Sequence, residues 1–158
     1  MTYSYSFTES TTFTVTHARH MAAKVATDLK RMQRFYGKPS DEAGAREFLT
    51  ARLRLNESMI LLARDGHGVA AGFTQLYPLF SSVRMVRTWL LNDLFVAAAA
   101  RRQGVAKALL EAAATQARNL GAASLSLSTA HDNLAAQALY ESLGWQRDTQ
   151  FREYALAL

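Results

Sequence analysis

Residues 92–145 hold the groups in this chain best suited to chemistry. A β-type run ends in Leu94-Phe95-Val96, and Arg101-Arg102-Gln103-Gly104-Val105-Ala106 comes next, at the mouth of an Ala/Leu-rich helical stretch. The first amides of a helix have no intrahelical acceptors, and the helix dipole adds positive potential there. A strand, a tight turn and such a helix end therefore make an anion site of the size a diphosphate needs. Gly104 and Ala106 let the backbone wrap closely, while Arg101 and Arg102 supply charge. Taken alone, the hexapeptide fits an ordinary strand-to-helix turn with solvated arginines equally well.

A second constellation lies downstream. Asn133 opens another helical stretch and Tyr140 stands seven residues later, nearly two turns on and so on the same face. By itself, Tyr140 is equally a helix residue with its ring in the core and its hydroxyl at the rim. Asp28, inside an amphipathic stretch, is a candidate to attract a cationic substrate, and a solvated helix-face charge explains it as well. His17, His20, His67 and His131 form no His-x-x-x-His pair and lack a nearby carboxylate set, so no metal site is expected.

Periodicity gives the surrounding elements. Phe13-Thr14-Val15-Thr16 alternates as a short strand, and residues 22–35 place Val25, Leu29, Met32 and Phe35 at helical spacing. Gly37-Lys38-Pro39-Ser40-Asp41 breaks that helix, with Ser40 or Asp41 as the cap of a second one starting near Glu42. Residues 59–63 and 69–77 read as a hairpin around Asp65-Gly66, closed by Pro78. Residues 84–96 form a long buried strand, 105–120 a third helix ended by Gly121, and 124–128 a strictly alternating strand. The fourth helix starts at Asp132 or Asn133 and stops at Gly144, before terminal strands over 145–150 and 152–158. With no repeat or linker, the order predicts one α+β domain over residues 1–158, a mixed sheet with helices on its faces.

Composition narrows the function. The 158 residues are 49% hydrophobic, enough for a core without staples, and the absence of cysteine excludes a thiolate nucleophile and an acyl-cysteine intermediate. Any group transfer is then direct. The net charge of +5 is scattered, with no run of five basic residues and no aromatic-interleaved strand motif, which argues against nucleic acid. The Ser/Thr-rich start lacks a signal-peptide pattern and no stretch is long enough to span a membrane, so a cytoplasmic protein with no membrane partner is expected.

In order and spacing, Leu94-Phe95-Val96, the residues from Arg101 to Ala106, Asn133, Tyr140 and Leu143-Gly144-Trp145 resemble the GNAT superfamily of N-acetyltransferases. The likeness spans nearly the whole chain, and the run Leu91-Asn92-Asp93-Leu94-Phe95-Val96 with Tyr140 is closest to the diamine (polyamine) acetyltransferase-like branch. It implies a single-domain, mostly antiparallel sheet with helices on both faces and a cofactor cleft between two splayed central strands. It also implies acetyl-CoA as donor without a metal, a homodimer, and a primary amine as acceptor, on a small molecule or a protein.

The residue roles come from the same likeness. Backbone groups of Leu94, Phe95 and Val96 would hold the pantetheine arm, and Arg101, Arg102, Gln103, Gly104, Val105 and Ala106 the diphosphate. Asn133 would bind the pantetheine side and Tyr140 would meet the departing sulfur. A phenol of pKa ~10 is a weaker acid than a thiol of ~8.5, so Tyr140 is expected to hydrogen-bond the thiolate rather than protonate it fully. The acceptor poses the opposite problem, since an alkyl ammonium of pKa ~10.4 is neutral in only about one part in 2,500 at pH 7. Relatives in that branch carry Glu-Asp ahead of the strand end, whereas this chain has Asn92-Asp93. Asparagine cannot take a proton, so Asp93 acting through water is the candidate base, provided strand alternation turns it toward the cleft. The excess of positive charge disfavours a polycationic acceptor unless the cleft is locally acidic. The competing reading is a non-catalytic acyl-CoA-binding regulatory domain that has lost its base.

Overall fold

The computed structural model describes residues 2–8, 11–18, 22–35 and 39–158. His20 and the Gly37-Lys38 helix break lie outside them. Strands β1 (Thr2–Thr8), β2 (Thr11–His17), β3 (Met59–Arg64), β4 (Ala70–Ser81), β5 (Val86–Val96) and β6 (Ser124–Ser126) form one sheet in that order. Neighbours from β1 to β5 are antiparallel, and β6 joins β5 in parallel. Helices α1 (Ala22–Phe35), α2 (Glu42–Arg54), α3 (Val105–Asn119) and α4 (Leu134–Ser142) complete the described elements, and the α+β expectation is met. Two compact units divide the chain, Met1–Leu127 with the whole sheet and Ser128–Leu158 with α4.

Local chemistry accounts for the boundaries. Asp41 caps α2 by accepting a hydrogen bond from the Gly44 amide, and Gly121, at φ 72°, ends α3 in the left-handed conformation a helix C-terminus favours. The β3–β4 turn is held by Asp65, whose Oδ1 accepts from the amides of His67 and Val69 at 2.9 Å each. Pro78 does not end the second strand. β4 continues to Ser81, because beyond the Met59–Leu76 pair it has β5 on one side only, and a strand edge tolerates a residue without an N–H.

Helices cover both faces of the sheet. Ile60, Leu62, Phe73 and Phe95 pack with Val25, Ala26, Ala45 and Leu49 from α1 and α2. Alternation then puts Leu61, Ala63 and Leu76 on the other face, where they too are buried and where α3 lies against the strands.

Two irregularities set the conformation of β5 near its end. Gln75 pairs with Asp93 but Leu76 pairs with Leu91, so Asn92 is the extra residue of a β-bulge. Pairing with β6 covers only Thr88, Trp89 and Leu90, leaving β4 as the only strand paired with residues 91–96. β6 is the edge strand of the described sheet, and where its pairing ends backbone groups are presented along one edge of β5.

In the second unit, Asn133 caps α4 and Gly144 leaves it at φ 83°. The expected terminal strands over 145–150 and 152–158 do not form. Asp148 instead accepts hydrogen bonds from the amides of Gln150 and Phe151 at 2.8 and 3.0 Å, a local turn that competes with an extended ladder. β1, paired with β2, is a strand for which the sequence reading offered no expectation.

Gly72 on β4 faces Val96, and a Cβ there would strike the Phe95 carbonyl and sit 3.2 Å from the Val96 Cα. Both obstacles are backbone and cannot swing aside. Gly72→Ala is expected to destabilise the protein by about 1–3 kcal/mol, the usual cost of overpacking, as read from the midpoint of urea unfolding.

Candidate active site

Three parts of the first unit converge around the end of β5. The first is the turn into α3. Gly104 is the helix N-cap, with φ 83° and no side-chain cap hydrogen bond, and the first turn of α3 holds no acidic residue. Arg102 also has positive φ, at 62°. Two left-handed residues flanking Gln103 wrap the backbone ahead of uncapped helix amides, an arrangement that forms a concave anion nest. A diphosphate fits this donor set. Gln103 braces the turn by donating to the Ala99 carbonyl at 2.9 Å, and exposed Arg102 supplies positive charge. Arg101 has a more structural task than the sequence suggested: its Nε donates to the Val96 carbonyl at 3.2 Å, tying the turn to the strand end.

The second part is the strand end itself. Leu94, Phe95 and Val96 lie where β5 has no partner on the β6 side. The Phe95 ring packs against Phe73, with centroids 6.2 Å apart, which anchors the strand in the core while its backbone edge stays available. An extended amide chain such as a pantetheine arm could pair with that edge as an added strand.

The third part is a cavity of about 410 Å³ on the face covered by α1 and α2. Leu29, Ala45 and Phe48 supply its apolar wall, and Gln33, Asp41, Gln75, Tyr77, Asn92 and Asp93 its polar groups. The bulge decides the last of these. Without an extra residue, the Leu76–Leu91 pair would put Asn92 opposite Gln75 and Asp93 opposite Thr74, on the α3 face. With the bulge, Asp93 stands opposite Gln75 and shares the cavity with Tyr77. Thr74 locks this arrangement by donating its hydroxyl to the Asp93 carbonyl at 2.8 Å. Gln75 is itself fixed, its Nε2 donating to buried Ser58 at 3.0 Å.

Burial pushes the Asp93 carboxyl above the usual carboxylate range, partly offset by a 3.0 Å hydrogen bond from the Asn92 amide. Burial and the nearby Asp93 also raise the Tyr77 phenol, against a smaller opposing pull from Arg52. A carboxylate shifted toward neutrality is better matched to taking a proton at physiological pH than an ordinary one.

Other sequence candidates fall elsewhere. Asp28 is buried on α1, paired with Arg31 at 3.0 Å, and is not among the cavity's lining residues. Desolvation raises its pKa despite Arg31, and its Oδ2 has no hydrogen-bond partner among the described residues. In the second unit, Asn133 is committed to structure: Oδ1 accepts from the Ala136 amide at 3.4 Å and Nδ2 donates to Thr129 at 3.1 Å. Tyr140 packs its ring against Trp145, centroids 6.1 Å apart. No group of three His, Asp or Glu residues suited to a metal exists among the described residues, and no described helix is long and apolar enough to cross a membrane. Gln75 and Tyr77 escaped the sequence reading, although polar Gln75 inside an apolar strand was a usable signal.

A family model described as "Acetyltransferase (GNAT) family" matches residues 25–145. An uncharacterized N-acetyltransferase of Bacillus subtilis, YhfO, is 47% identical over 135 residues, covering 85% of this chain and 90% of its own. A crystal structure of a probable acetyltransferase is 40% identical, with TM-score 0.84 over 92% of this chain and 97% of that one. The ribosomal-protein-alanine N-acetyltransferase of Brucella melitensis, at 22% identity and TM-score 0.70 over 94% and 100% of the two chains, shares the fold. The chain belongs to the GNAT family of acetyltransferases. This family generally uses acetyl-CoA, and the nest at the α3 turn suits that molecule's diphosphate.

Two consequences are measurable. Gly104→Glu forces a side chain into left-handed backbone and sets a carboxylate at the anion nest, so CoA affinity should fall by at least roughly tenfold in calorimetric titration while circular dichroism stays unchanged. The raised pKa of Asp93 means that its burial favours the folded state below about pH 4, the unfolded carboxyl range, and that this contribution is lost as pH rises through the higher folded value. Asp93→Asn should therefore melt above wild type at neutral pH, with the gap closing as pH falls through the raised folded value and closed by about pH 4.

Proposed function

We propose that this acetyltransferase moves an acetyl group from acetyl-CoA directly to a primary amine, on a polyamine or diamine, a protein lysine or another small amine. The observation that carries the reading is Asp93, a partly buried carboxylate in a cavity floored by the same strand whose free edge leads to the anion nest. Acetyl-CoA, when bound, supplies the acetyl group as a thioester.

The chain's own residues provide the rest. Amides of residues 102–106 bind the diphosphate, and the open edge of β5 at Leu94, Phe95 and Val96 aligns the pantetheine arm and polarises the thioester carbonyl. Asp93 removes a proton from the acceptor ammonium through water, freeing the nitrogen lone pair for the new C–N bond. That deprotonation would cost roughly 4.6 kcal/mol in bulk water at pH 7 for a pKa of ~10.4, so a base of raised pKa beside the amine has a large effect to exert. Tyr140 is assigned to the departing sulfur by resemblance, with its hydroxyl as hydrogen-bond donor. The presence of Asp93 in the cavity argues against the non-catalytic binder reading, which rested on Asn92 standing where a glutamate was expected.

Release of free thiol from acetyl-CoA in the presence of amines tests the reading. Asp93→Asn should lower kcat/KM near neutral pH by roughly 10²–10⁴, with CoA affinity unchanged. Raising the pH should recover much of the loss, because more acceptor arrives already deprotonated. Equal rates for wild type and variant near neutral pH would remove Asp93 from the role of base.

A further inference from the structure

The acceptor cavity has a second carboxylate that proton transfer does not require. Asp41 lies on the helical wall at the start of α2, while Asp93 belongs to the sheet floor. Among the described lining residues there is no lysine or arginine. The nearby cations with described partners are engaged elsewhere: Lys30 pairs with Glu42, Arg31 with Asp28, and Arg52 with Glu57. Neither Asp41 nor Asp93 takes part in a salt bridge among the described residues. In a chain of net charge +5, the described lining of this cavity is locally acidic.

Asp41 is also held in place. Its amide donates to Gln33 Oε1 at 3.3 Å, and its Oδ1 accepts from the Gly44 amide at 2.9 Å. A Cβ on Gly44 would collide with Oδ2, so the bare glycine is what lets the carboxylate lie over the first turn of α2. Glycine within a helix costs about 1 kcal/mol relative to alanine. Oδ2 has no hydrogen-bond partner among the described residues. In the same cavity, Leu29, Ala45 and Phe48 offer an apolar shelf for methylene groups.

We propose that this pocket selects amines carrying a second positive charge at the far end of a short aliphatic chain, with Asp41 as the specificity-determining residue. The selection rests on the amine-acetylation reading above and narrows it. The reacting nitrogen sits by Asp93, the methylenes cover the apolar shelf, and the distal ammonium meets Asp41. A carboxylate in the distal position is repelled by Asp41 and finds no cation among the described lining residues, which disfavours free amino acids of this length as acceptors.

The test uses the full chain, acetyl-CoA and three acceptors of matched length: 1,4-diaminobutane, butylamine and 4-aminobutanoate. Wild type should show kcat/KM for the diamine roughly threefold to tenfold above butylamine, with 4-aminobutanoate lowest, and added salt should shrink the spread. Asp41→Asn removes the charge and keeps an equally good helix cap, so folding is preserved. Its ratio of diamine to butylamine should fall to about two, the statistical factor for two equivalent amines, with the loss carried by KM for the diamine rather than kcat. Thiol release without a diamine preference beyond that factor in wild type, or such a preference that survives in Asp41→Asn, overturns the selection and leaves amine acetylation standing. No thiol release with any of the three amines overturns both.

Discussion

The extra residue in β5 is the constraint on which the candidate site depends. A strand presents alternate side chains to opposite faces, so one inserted residue exchanges the faces of everything beyond it. Before Asn92, Trp89 and Leu91 face α3; after it, Asp93 and Phe95 face α1 and α2. Phe95 then reaches the core cluster around Phe73, and Asp93 reaches the cavity. Gly72 is part of the same arrangement, because the strand end approaches β4 more closely than any side chain at that position would permit. The bulge breaks regular pairing, and Thr74, hydrogen-bonded to the Asp93 carbonyl, helps to hold the register that results.

Charge follows from that geometry. The bulge brings a carboxylate into a half-buried cavity where the Asn92 amide is its donor, a position that costs stability while the group is ionised. A fold that placed stability first would supply a cation here. Arg52, within electrostatic reach of Tyr77, is instead paired with Glu57. Asp28 makes an instructive contrast: it is more deeply buried, but Arg31 sits beside it and the cavity lies elsewhere, so its strain has no visible outlet to a ligand.

Much of this was legible in the sequence, and the limits have physical causes. The turn into α3 was readable because its signals are local: a glycine at φ 83°, small residues and an amphipathic helix immediately downstream. The cap of α2 came from the same short-range chemistry. The bulge was not readable, since nothing in the types of Leu91, Asn92 and Asp93 distinguishes a regular strand from one with an inserted residue; register is set by the partner strand. For that reason the direction of Asp93 stayed open until the pairing with Gln75 was known. The terminal strands failed for the complementary reason. Alternation over 152–158 describes a segment able to pair, but pairing needs a partner edge, and Asp148 satisfies the nearby amides locally.

The two halves of the proposed reaction differ in how they are encoded. The donor side is built from backbone: helix amides, left-handed turn residues and a strand edge, all of which the fold produces wherever small residues permit. Such a site tolerates wide variation in side chains, which is why the family can be recognised from a few spaced positions. The acceptor side is built from side chains brought together from α1, α2, β4 and β5, elements far apart along the chain. No short motif can announce it, and a single change among the lining side chains can alter its chemistry without disturbing the fold. Acceptor choice is therefore a property of the cavity lining and its charge balance, and Asp41 and Asp93, which form no salt bridge among the described residues, are the part of that lining with the greatest electrostatic leverage.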